Sequence, residues 1–108
     1  MELEPNSPVA LANAAWILAT AADESLRNGS EALELSLRAN NLSGGTDPFT
    51  LHALAAAYAE KGKYPEAIET AKRGLRLATE SHLQDLASQF RSEIALYEIG
   101  LPVRERMN

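Results

Sequence analysis

The chain has 108 residues, enough for one domain with a modest core, and its 45% hydrophobic content favours folding over disorder. The formal net charge is −5, from 15 acidic and 10 basic residues, and the densest basic group is Lys72, Arg73 and Arg76 on one predicted helix; without a basic stripe to displace counterions, nucleic acid is not an expected partner. Cysteine is absent, which excludes disulfides and thiolate chemistry, and no run approaches the roughly 18 apolar residues of a membrane span, so no membrane partner is expected either.

The start, Met1–Pro5, is acidic and lacks the basic opening of a secretion signal. With the lack of cysteine this fits a cytoplasmic location, though a longer parent protein would carry any signal upstream. Ser7 and Pro8 then supply a cap and a first helical residue, and the spacing predicts a helix to about Ala22. Asp23 to Gly29 reads as a connector. Ser30 is the expected cap of a second helix ending near Leu42, followed by a loop at Ser43–Thr46. Asp47 and Pro48 repeat the cap-plus-proline signal for a third helix that stops at Lys61 and Gly62. Pro65 opens a fourth, to about Thr79. Ser81 and Gln84 have the spacing of a capping box for a fifth, ending at Gly100–Pro102. The tail, residues 103–108, is expected to fray.

Apolar spacing agrees with these helices. Leu51, Leu54, Ala55 and Tyr58 recur at helical intervals, as do Ala67, Ile68, Ala71 and Leu75. The fifth helix has an apolar face of Leu83, Leu86, Ala87, Phe90, Ile94 and Tyr97 and a polar face of Gln84, Asp85, Ser88, Arg91, Ser92 and Glu98. Nineteen alanines favour helix and let helix axes approach closely.

Two stretches are similar at an offset of 35 residues: Trp16 falls opposite Leu51, Ala19 opposite Leu54, Ala32 opposite Ala67, Leu33 opposite Ile68, Ala39 opposite Gly74 and Leu42 opposite Leu77. Such a period marks a duplicated helix pair, because one pair cannot bury its own apolar side. The second copy, with Leu51, Leu54, Ala55 and Tyr58 followed by Gly62, Tyr64 and Ala67, resembles the tetratricopeptide repeat (TPR). Against that family, Ala55 stands for the usual glycine, Ala71 for an aromatic residue, Gly74 for an alanine and Thr79 for a proline. In the first copy Asp23 replaces the tyrosine and the turn is altered. Trp16 to Thr20 with Arg27 to Ala32, and the ending Leu96 to Pro102, resemble a bacterial subtype often found at the C-terminal end of multidomain proteins.

The resemblance implies an all-α, right-handed superhelix. It comprises a repeat over about 13–47, a second over about 48–82, and a capping helix over about 82–100, in a single domain spanning 1–108. It also implies a non-catalytic protein–protein interaction module within a larger scaffold. The first helix of each pair would line a concave groove holding a peptide or helix. Carried over by position, the groove residues are Asn13, Ile17, Ala21 and Glu24, then Phe49, His52, Ala56 and Glu60, with Gln84, Ser88 and Arg91 from the last helix. Phe49 and His52 sit off the Leu51/Leu54/Tyr58 stripe and are the expected exposed anchors. The family's chaperone-tail binders need lysine and asparagine in the groove. Here Ile17, Ala21, His52 and Ala56 occupy those positions, so an apolar or helical segment is the better fit.

No catalytic, cofactor or metal site is expected. The two histidines, His52 and His82, fall on different predicted elements with no nucleophile motif, phosphate loop or metal spacing nearby. Glu31/Glu34 and Glu66/Glu69 read as solvated acids favoured near helix starts, and Tyr64 as a packing residue at a turn. The first helix has no neighbour before it, so Val9, Leu11, Ala14 and Ala15 also offer a stripe for a second copy across a two-fold axis.

Overall fold

Asp47 shows how this chain starts a helix: its carboxylate accepts the Phe49 N–H at 3.1 Å, and Pro48 follows as the first helical residue. Ser7 does the same work ahead of Pro8, accepting the Ala10 N–H at 3.4 Å. The computed structural model describes residues 7–104. They form α1 (Pro8–Thr20), α2 (Gly29–Leu42), α3 (Pro48–Glu60), α4 (Tyr64–Glu80) and α5 (Gln84–Glu98), with a 3-10 turn at Glu24–Leu26 between α1 and α2. The described residues contain no strand, and none of their helices is long and apolar enough to cross a membrane. The acidic start at Met1–Pro5 and the last four residues of the tail lie outside the described residues.

Two cap assignments from the sequence are corrected. Asn28, not Ser30, caps α2, accepting the Glu31 N–H at 3.1 Å, while the Ser30 hydroxyl instead accepts from Lys61 Nζ at 2.8 Å. Ser81 does not open a capping box, because α4 runs one residue past Thr79 and uses Ser81 as its own C-terminal cap. The His82 N–H then donates to the Thr79 carbonyl at 3.1 Å and the Leu83 N–H to the Ala78 carbonyl at 2.8 Å. That pair of bonds is the Schellman motif. It recurs after α3 through Gly62 and Lys63, after α5 through Gly100 and Leu101, and after α2 through Gly44 and Gly45. Each motif needs one residue at positive φ. Glycine supplies it three times; after α4 His82 does so, at φ 59°.

The two helix pairs follow two registers rather than the single offset of 35. Second helices α2 and α4 begin 35 residues apart, at Gly29 and Tyr64, whereas first helices α1 and α3 begin 40 apart, at Pro8 and Pro48. The buried residues of α1 (Leu11, Ala12, Ala15, Ala19) match those of α3 (Leu51, His52, Ala55, Ala59) at that offset of 40. The difference sits in the connector: α1 and α2 are joined through the 3-10 turn, α3 and α4 by Lys61–Lys63 alone. Trp16 and Leu51, opposite each other at an offset of 35, therefore occupy different places, Trp16 half-buried and Leu51 fully buried. The expected start of the first repeat at 13 falls inside α1. Asp23 holds the 3-10 turn by accepting from both the N–H (3.0 Å) and hydroxyl (2.8 Å) of Ser25, which keeps its carboxyl below the usual value.

Packing follows the sizes of the side chains. α1 packs on α2, α3 on α4, and α4 on α5; α3 also lies against α1 and α2, while it meets α5 only marginally. α3 is thus the central helix, buried on nearly every side rather than along the single stripe its leucines suggested. Ala15, Ala32, Ala39, Ala55, Ala67, Ala71 and Ala78 are completely buried, the condition for close helix approach. Gly74 carries this furthest. A Cβ there would overlap the Phe90 ring, lying 2.7 Å from Cε1 and closer still to Cζ. The buried hydroxyls of Thr20 and Ser36 donate to carbonyls four residues back, Trp16 at 2.6 Å and Ala32 at 2.8 Å. The tail is ordered at its start, contrary to the expected fraying: Val103 packs on the α4–α5 core and Arg104 pairs with Glu60 at 2.9 Å.

Alanine at position 74 would gain about 1 kcal/mol of helix propensity, so Gly74→Ala isolates the effect of the ring contact. The expected net result is a loss of about 1–3 kcal/mol from overpacking. In a double-mutant cycle by urea unfolding, Phe90→Leu then costs less in the Gly74→Ala background than in the wild type.

Tyr97 is buried, and its hydroxyl has no hydrogen-bond partner among the described residues. Burial, then the nearby Glu93 charge, then Tyr64 push the phenol well above its ordinary value of 10.0. The folded state keeps this proton where the unfolded chain releases it, so the stability it carries is full below about pH 10 and is lost as pH rises further. Tyr97→Phe is expected to be neutral, or stabilising by up to about 1 kcal/mol, near pH 7. It also flattens the alkaline fall of Tm, as thermal melts across pH will show.

Candidate functional site

Phe49 follows directly on the Asp47–Pro48 helix start and projects from the first turn of α3, 56% exposed. It stands between two open clefts. One, of about 450 Å³, is walled by Val9, Ala12, Asn13 and Trp16 of α1, by Asp47, Phe49, His52 and Ala53, and by Gln89 of α5. The other, of about 400 Å³, runs from Phe49 and His52 to His82, Leu83, Gln84, Asp85, Leu86 and Gln89. Phe49, His52 and Gln89 belong to both. The clefts exist because α5 packs on α4 and barely reaches α3, leaving the starts of α3 and α5 apart.

His52, common to both clefts, belongs to a buried polar and aromatic cluster. The His52 imidazole stacks on the Trp16 indole, centroids 4.1 Å apart and planes 20° apart, and meets the Phe90 ring edge-on at 5.1 Å and 78°. Its Nε2 lies 2.7 Å from Glu93 Oε1. The two residues are 9% and 8% exposed. The imidazole nitrogen has no hydrogen bond of good geometry, so the contact is a close polar pair rather than an aligned bond. The pair joins α3 to α5, which otherwise meet only marginally.

The expected groove residues divide. Asn13, Phe49, His52 and Gln84 line the clefts. His52 is a correction within that set: it is a covered floor residue, not an exposed anchor. Ile17 is 57% exposed one turn beyond Asn13 and lines neither cleft. Ala21 is the buried C-terminal cap of α1, and Glu24 lies in the 3-10 turn, 3.7 Å from Arg27. Both were placed by a register five residues out of step with α1. Ala56 is packed among Ala19, Ala32 and Ala57, and Glu60 is taken by Arg104. Ser88 is exposed outside both clefts, and Arg91 lines a smaller depression of about 200 Å³ with Thr79, Gln84 and Ala87.

Val9, Trp16, His82 and Gln89 also line the clefts, and Glu93 lies behind them against His52; none of the five was expected there. Val9 was legible: aligning the two cap-proline starts puts it opposite Phe49, and Trp16 then falls two turns further along the same α1 face. Glu93 was not, since it sits among apolar positions of α5 with no sequence sign of a buried partner. Comparisons with protein-family models, with curated proteins and with solved structures return no match for this chain.

His52→Leu strands the Glu93 carboxylate in a buried position, an expected cost of about 3 kcal/mol. The double variant His52→Leu/Glu93→Met, with no charge left to strand, is expected to be more stable than His52→Leu alone in denaturant unfolding.

Proposed function

We propose that the chain is a non-catalytic protein–protein interaction module that holds a peptide or helical segment in the cleft pair around Phe49. The observation that carries this reading is the large aromatic side chain left 56% exposed between two concave clefts. Exposed aromatics beside apolar concavities are the usual anchors of such binding. In this reading the helices form a right-handed superhelix of TPR type, two pairs and a closing helix, serving a larger scaffold in the cytoplasm. Its supports are the paired helices, the repeated Schellman ends and the matched burial of α1 and α3. Self-association through α1 is a second reading, with a correction to its surface: of the expected stripe, Leu11 and Ala15 are buried against the neighbouring helices, and the exposed apolar residues of α1 are Val9 and Ile17, at 65% and 57%; a monomer by sedimentation at high concentration removes it.

Peptides selected by display on the immobilised chain are expected to lose about tenfold or more in affinity on Phe49→Ala. Ser88→Ala, outside the clefts, is expected to leave them unchanged. A selection that enriches nothing, or peptides indifferent to Phe49→Ala, removes the groove reading.

A further inference from the structure

The charge on the cleft walls is of one sign. Among the described residues the lining includes the carboxylates of Asp47 and Asp85 and no lysine or arginine. Asp47 is occupied in capping α3, its second oxygen accepting from Thr50 Oγ1 at 2.9 Å, so its charge is fixed at the mouth of the first cleft. Asp85 stands exposed in the first turn of α5, with no ion pair among the described residues. It shares the second cleft with the exposed ring of Phe49. A carboxylate and an aromatic face on the walls of one cleft suit a guanidinium or ammonium, which gains from the ring quadrupole as well as the charge. The first cleft differs: Val9, Ala12, Trp16, Phe49 and Ala53 make it mainly apolar.

Resting on the groove reading above, we infer that the occupant is a cationic peptide segment. It seats a large apolar side chain in the Val9/Trp16 cleft and passes a lysine or arginine across Phe49 to Asp85. The net charge of −5 favours the approach of such a segment and disfavours a second copy, which brings the same negative charge and the same carboxylates.

The test uses three labelled peptides of about twelve residues read by fluorescence anisotropy, in the peptide size range these clefts span. The first carries a tryptophan and a leucine with two arginines; the second replaces the arginines with glutamates; the third keeps the arginines and replaces the apolar anchors with serine. The arginine peptide is expected to bind at least about fivefold more tightly than the glutamate peptide at low salt, with the gap narrowing at high salt. Asp85→Asn is expected to weaken the arginine peptide by about two- to fivefold, and Asp85→Lys to reverse the preference. Both variants are checked for unchanged thermal melts. The serine peptide is expected to bind about tenfold or more weakly, as is the arginine peptide to Phe49→Ala.

Equal affinity for the arginine and glutamate peptides overturns the cation assignment. If both are nonetheless lost on Phe49→Ala, the groove reading stands without it. An arginine preference untouched by Asp85→Asn and Asp85→Lys overturns the assignment, and binding indifferent to Phe49→Ala overturns both readings. Concentration-dependent dimerisation that Phe49→Ala abolishes names a second copy as the occupant and also overturns it.

Discussion

Phe90 rests on the bare backbone of Gly74, and much of the architecture follows from that one contact. Because α4 has no side chain there, α5 can lie close enough for a full phenyl ring to be buried between them. The same ring meets His52 of α3, whose imidazole in turn stacks on Trp16 of α1. Four helices are connected through one line of aromatic groups, with Glu93 attached to it beside His52. A methyl group at position 74 would push this line from one end, and close packing passes such a shift on rather than absorbing it.

The same line explains why the clefts are where they are. α5 is drawn to α4 by Phe90 and Leu86 and reaches α3 through side chains rather than by backbone approach. The gap that remains at the starts of α3 and α5 holds both clefts, with Phe49, His52 and Gln89 common to them and Glu93 against His52. Burying a polar pair in such a place is costly for stability and useful for geometry, since it ties the body of α5 to the first turns of α3. His82 adds to the picture: it takes a left-handed backbone conformation that the chain elsewhere gives to glycine, and it does so on the wall of the second cleft.

Much of the fold was readable from residue types. The cap-proline pairs at Ser7–Pro8 and Asp47–Pro48 start helices as expected, Gly62 and Gly100 end them, and the apolar face of α5 from Leu83 to Tyr97 is the face that packs. Errors arose where two local signals competed. Ser81 fits both the end of α4 and the start of α5, and only the hydrogen bonds of His82 and Leu83 show that it belongs to the former. The offset of 35 fitted the second helices and was carried into the first, where five connector residues shift the register and move Ala21 and Glu24 off the helix. Asn13, Phe49 and Gln84 reach the clefts even so, and Trp16, aligned at that offset with the buried Leu51, lines the first cleft.

By itself the sequence determined five helices, their pairing into hairpins and the alanine-rich surfaces on which they meet, because caps, glycine stops and apolar spacing act within a few residues of the chain. Only the tertiary structure decided that α3 is enclosed, that His52 faces Glu93 across about forty residues of chain, and that Phe49 is left standing between two clefts. Those outcomes depend on the distance between helices that are remote in sequence. Between α4 and α5 that distance depends on the absence of a methyl group at Gly74 and on the ring that occupies its place.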